Sequence, residues 1–106
     1  MRKLEFASLQ VRDLDASKEF YTTKLGFEEA GIPNPNACVF KYKKGEASFA
    51  IRTPIGNIEG KELGIGASLW FAIDEEIEDL QTALLAKNVT LLGPIQTTPF
   101  GKILIA

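Results

Sequence analysis

The stretch Phe6-Ala-Ser-Leu-Gln-Val-Arg-Asp-Leu-Asp-Ala-Ser-Lys-Glu-Phe-Tyr-Thr-Thr-Lys-Leu-Gly-Phe27 decides the fold of this chain. Residues Leu4 to Val11 alternate: Leu4, Phe6, Ser8 and Gln10 fall on one face, Glu5, Ala7, Leu9 and Val11 on the other, which is the period of a strand. Asp13 is placed to cap a helix from Leu14 to about Lys24, with Leu14, Ser17, Phe20, Tyr21 and Leu25 as its buried stripe. Gly26 can take the left-handed conformation that ends such a helix. A second strand-then-helix start lies about 60 residues further on. It runs Ala67-Ser-Leu-Trp-Phe-Ala-Ile73, then Asp74 as cap, a helical run from Glu75 to Lys87 striped by Ile77, Leu80 and Leu84, and Asn88 as the stop. The repetition predicts two copies of one module facing each other around a cleft.

Between the two starts, Phe27 to Ile32 reads as a strand and Pro33-Asn34-Pro35-Asn36 as a loop. Ala37 to Tyr42 and Ala47 to Thr53 read as a hairpin turning near Lys44-Gly45. Pro54 to Leu63 is polar and contains glycine, so the chain is expected to be a single domain of two modules, 1–54 and 64–106, joined by a linker at 55–63. In the second module, Val89 to Leu92 and Lys102 to Ala106 are further strands, with Gly93-Pro94 a turn. This copy supplies fewer strands than the first, and its last strand is expected to be missing, which leaves a sheet edge to be covered.

Composition narrows the function classes. With 12 Lys and Arg against 14 Asp and Glu, the formal charge is -2, and nothing resembles the basic face that nucleic acid requires. Lys41, Lys43 and Lys44 are the nearest approach, and the alternation of Lys41 and Lys43 with Phe40 and Tyr42 marks a solvated strand face. Cys38 is the single cysteine; it sits in an apolar strand, allows no intrachain disulfide and suits a reducing cytoplasm. Glu5 interrupts the short apolar stretch behind Met-Arg-Lys, so no signal peptide is expected. No apolar run approaches the ~18 residues of a membrane span.

The chain resembles the vicinal oxygen chelate superfamily, which includes glyoxalases, bleomycin-resistance proteins and extradiol dioxygenases. Val11-Arg12-Asp13-Leu14, Ser17, Phe20-Tyr21 and Leu25-Gly26-Phe27 match the start of that family's first module. Gly66 to Asp74 matches the start of the second, and Pro99-Phe100-Gly101 the segment before its penultimate strand. The resemblance implies an α+β fold of paired βαβββ modules that form an incomplete barrel around a concave cleft. Members that use a metal place histidine and carboxylate ligands at four positions. The resemblance puts the first three on Phe6, Ala50 and Ser68, and the fourth beyond Ala106. The chain contains no histidine, phenylalanine and alanine have no electron pair to donate, and a serine hydroxyl is a poor substitute for imidazole. No metal and no other cofactor are therefore expected.

The same resemblance turns Phe6, Ser8 and Gln10, then Ser48, Ala50 and Arg52, then Ser68 and Trp70 into the cleft. Trp70 can stack on a planar ligand while its N–H makes a directed hydrogen bond, and Arg52 can pair with a carboxylate or phosphate. No nucleophile, base and acid are grouped: Ser8, Ser48 and Ser68 lack an activator, and an acid–base role for Glu28 or Glu29 requires burial. The expectation is a cytoplasmic homodimer that binds a small planar or aromatic molecule without a metal, as bleomycin-resistance-type proteins do. An enzyme with a non-standard site and a ligand-free interaction or regulatory module are the alternatives. Neither nucleic acid nor membrane is an expected partner.

Overall fold

Asp13 starts the first helix from the position its sequence predicts. In the computed structural model its backbone is extended and its Oδ1 accepts the Ala16 N–H at 3.0 Å. One of the helix's orphan donors is thereby satisfied, and Asp13→Ala is expected to cost about 1 kcal/mol in a denaturation experiment. The structure describes residues 2, 4, 6–31, 34–42, 46–64 and 66–106, and for residues 42 and 46–48 the backbone only. The chain divides into two compact units, Met1–Ser68 and Leu69–Ala106.

In the first unit, β1 is Ala7–Gln10 and α1 is Leu14–Glu19, continued by a π-helical turn, Phe20–Lys24. The turn is closed by the Leu25 N–H reaching Phe20 O at 3.2 Å, and Gly26 follows at φ 78°, a conformation glycine adopts without steric cost. Phe20 and Tyr21, both in this turn, meet edge to face with ring centroids 5.4 Å apart. The strands β2, Ala37–Tyr42, and β3, Glu46–Arg52, pair antiparallel, and β1 pairs parallel with β3, giving the order β1-β3-β2. The expected strand from Phe27 is reduced to a bridge between Glu29 and Phe40, flanked by Ala30 N–H to Val39 O at 2.8 Å and Lys41 N–H to Glu28 O at 3.0 Å. These bonds cover the outer edge of β2. The expected turn at Lys44-Gly45 lies outside the described residues, as do Pro33 and Ile65.

The core of this unit is aromatic. Tyr21 of the π-helical turn lies 5.5 Å from Phe40 and 5.3 Å from Phe49, while Phe27 lies 5.1 Å from Phe49. Phe40, Phe49 and Ile51 are fully buried. Offset and edge-to-face packing of this kind adds to the burial of apolar area. The segment 55–63, expected as the linker between modules, is bonded to the end of β1 as described below.

In the second unit α2 is Ile77–Ala86, and β4, Gln96–Thr98, forms a hairpin with β5, Gly101–Ile103. Asn88, at φ 61°, stops the helix. Its N–H reaches Leu85 O at 3.1 Å and the Val89 N–H reaches Leu84 O at 3.0 Å, while the side chains of Leu84 and Val89 are buried. This is the Schellman arrangement with its apolar contact. Three expectations are corrected here. Residues 67–73 form no strand, α2 begins after Glu76 without a side-chain cap from Asp74, and Val89 to Leu92 is not a strand. A strand is defined by its ladder of backbone bonds, and residues 67–73 join none. Val89 gives its N–H to the helix end instead.

Candidate ligand-binding site

Register decides which side chains share a face of the first unit's sheet. Ser8 lies opposite Ala50 and Gln10 opposite Arg52, while on β2 Val39 lies opposite Ala50 and Ala37 opposite Arg52. Paired residues project to the same side. One face therefore carries Ser8, Gln10, Ala37, Val39, Ala50 and Arg52. The other carries Ala7, Leu9, Cys38, Phe40, Phe49 and Ile51, and it is this face that packs in the core.

Ala50, on the central strand between Ser8 and Val39, is only 2% exposed. Ser8 and Gln10 are exposed and Arg52 is half-buried. Phe6, just ahead of β1, is 40% exposed. The Ser48 side chain lies outside what the structure describes. Ser68 is exposed at the end of the first unit. Trp70 belongs to the second unit, where it is 67% exposed and meets Phe100 edge to face with centroids 6.1 Å apart.

Gln10 and Arg52 have definite hydrogen-bonding states. Gln10 Oε1 accepts the Ile55 N–H at 2.8 Å. A backbone N–H can only donate, so the amide oxygen faces the loop and the amide NH2 is left with two donors. Arg52 Nε donates to Thr53 O at 3.1 Å, and among the described residues no carboxylate pairs with the guanidinium.

Sequence reading missed Arg12. Its guanidinium donates to Ile58 O at 3.4 Å and also to Lys61 O. Gln10 and Arg12, at the end of β1, thus tie down the loop 55–61. Between Arg12 and this loop lies an open depression of about 440 Å³, lined by Pro54, Gly56, Asn57, Ile58, Glu59 and Gly60. The partners of Arg12 are backbone carbonyls far along the chain, and no residue-type pattern marks them in advance.

Cys38 is buried, and its Sγ lies 3.5 Å from Glu29 Oε1, which also holds Lys18 Nζ at 3.2 Å. Burial first, and then the Glu29 carboxylate, pushes the thiol pKa from 9.0 up to about 11. The thiol is neutral at physiological pH, so Ellman's reagent at pH 8 should label it far more slowly in the native chain than in denaturant. Because the folded-state value is raised, the associated stability is full below pH 9.0 and is lost as pH climbs towards about 11. Glu28 is exposed and pairs with Lys41 at 2.8 Å, an interaction that lowers its carboxyl pKa. It has the character of a surface acid, not of a general base.

The residues at the family's metal positions do not fit a metal. Phe6 and Ala50 offer no lone pair, Ala50 is covered, and Ser68 contributes a hydroxyl alone. Among the described residues, no three His, Cys, Asp or Glu side chains form a group able to hold an ion. No described helix is long and apolar enough to cross a membrane.

The sequence profile of the Glyoxalase/Bleomycin resistance protein/Dioxygenase superfamily matches residues 3–106. Among solved structures, the chain is similar to a member of that superfamily from Sphaerobacter thermophilus, at 23% identity and TM-score 0.70 over 98% of this chain and 86% of that one. It is similar to an integron cassette protein from the mobile metagenome of V. cholerae, at 19% identity and TM-score 0.68, covering 98% and 83% of the two chains. A glyoxalase-related enzyme from Fulvimarina pelagi follows at 21% identity and TM-score 0.62, covering 95% and 76%. No curated protein matches. The chain belongs to the glyoxalase, bleomycin-resistance and dioxygenase superfamily, and it has that superfamily's mixed α+β fold.

Proposed function

We propose that this protein binds a small planar or aromatic molecule on the open face of the first unit's sheet, without a metal. The observation that supports this most is that the positions which the resemblance assigns to the family's electron-pair donors hold Phe6 and Ala50, and that Ala50 shares a sheet face with Gln10 and with Arg52, whose guanidinium has no carboxylate partner among the described residues. A surface with apolar flanks and a few convergent polar groups suits a small organic ligand. The superfamily's metal chemistry needs an ion to hold developing charge, and this donor set is unsuited to one. A thermal-shift screen of the full chain against planar aromatic compounds tests the proposal. Stabilisation by at least one compound, unchanged by EDTA, is the expected result. Binding that disappears on chelation and returns with a divalent cation would overturn it. Trp70 is the chain's single tryptophan, and its exposed indole offers a stacking surface in the second unit. Loss of binding in Trp70→Ala would make it part of the site, and unchanged affinity would remove it.

A homodimer is the second part of the proposal. Trp70, Phe71, Ile73, Leu92, Phe100 and Ile105 of the second unit are all exposed, Trp70 and Phe100 meet ring to ring, and exposed apolar groups that lie together mark an association surface. Light scattering at micromolar concentration is expected to give twice the chain mass, whereas a clean monomer would reject the dimer.

A further inference from the structure

We infer that the ligand carries a carboxylate and that Arg52 and Gln10 receive it together; this rests on the metal-free binding proposed above. Arg52 is half-buried without a carboxylate partner among the described residues, and a partly desolvated cation gains most from an anion brought to it. Its register partner on the neighbouring strand is Gln10, with Cα atoms about 4.8 Å apart at ordinary strand spacing. The Gln10 oxygen accepts the Ile55 N–H, which fixes the orientation of the amide and leaves its NH2 donors for a ligand. The described side chains in register at this end of the sheet are Gln10, Arg52 and Ala37, with no acid among them. The position is therefore a donor pair bearing one positive charge.

That charge selects the class of anion. A carboxylate carries a single charge and matches the planar guanidinium fork. A phosphate dianion would leave a charge uncompensated here, because the nearby Arg12 guanidinium is already engaged by two backbone carbonyls. Beside the site Ile55, the residue held by Gln10, exposes an apolar side chain, 73% accessible. An organic acid with an apolar body meets both features. Gln10 also keeps the loop in place while its NH2 binds, so the two functions fall on different atoms of one side chain.

Calorimetry or NMR titration of the full chain with phenylacetate, its neutral isostere phenylacetamide and inorganic phosphate tests this. Phenylacetate is expected to bind about ten- to hundredfold more tightly than phenylacetamide, the range for a charge-assisted contact, and more tightly than phosphate. Arg52→Gln should bring acid and amide to parity. Gln10→Glu keeps an oxygen for the Ile55 N–H but replaces the donor with a second negative charge. It should weaken phenylacetate at least about tenfold without lowering the melting temperature. Equal affinity for acid and amide, full affinity in Arg52→Gln, or a preference for phosphate would overturn the inference. Failure of both phenyl probes would also overturn it, whereas a neutral planar compound that binds in the presence of EDTA leaves the metal-free proposal standing.

Discussion

Phe49→Ala is expected to remove about 3–5 kcal/mol of unfolding free energy, the range for truncating a buried aromatic ring. Phe49 is fully buried on the central strand, with its ring 5.3 Å from Tyr21, 5.1 Å from Phe27 and 4.8 Å from Phe40. Pairing with β1 on one side and β2 on the other holds β3 in place, so the cavity can close only partly. A small domain has about 5–15 kcal/mol in total, and the variant should be close to unfolded at room temperature. Urea denaturation checks it, with near-UV tyrosine dichroism following the Tyr21 cluster and Trp70 fluorescence following the second unit. A loss below about 1 kcal/mol would mean that the aromatic cluster is not the core.

Ala50→His is expected to destabilise by about 2–6 kcal/mol. Overpacking a filled site costs about 1–3 kcal/mol, and a buried imidazole without a partner about as much again. The position is the one that the family resemblance assigns to a metal ligand, and here it is 2% exposed. The substitution should not create metal binding, because Phe6 still supplies no electron pair. Metal content after incubation with zinc and dialysis should equal that of the parent chain. A variant with unchanged stability would show that the position is open.

Much of the first unit was legible because its signals are local. Asp13 caps and Gly26 stops as residue type alone predicts, since a cap is a contact between neighbours along the chain. Asn88 ends α2 for the same reason. The faces of the β1 residues and of Phe49 to Arg52 on β3 also followed from alternation, because side-chain direction is a property of the strand itself. The second unit was harder to read. Ala67 to Ile73 has the apolar, β-branched and aromatic character of a strand and forms none, while the polar Gln96-Thr97-Thr98 pairs with β5. Backbone ladders do not depend on apolar alternation, and their partners are set by the rest of the fold.

Of the candidate site, the sequence by itself determined the chemistry: no histidine, no donor at Phe6 or Ala50, a single Trp70, and Arg52 as the cation on its strand face. Those are statements about atoms each residue has or lacks, and no fold can alter them. Tertiary structure decided accessibility and partnership. It covered Ala50, took the oxygen of Gln10 for the Ile55 N–H, spent Arg12 on the carbonyls of Ile58 and Lys61, and left Arg52 without a carboxylate among the described residues. The partners of Gln10 and Arg12 lie more than forty positions away along the chain, and that information enters only when the chain has folded.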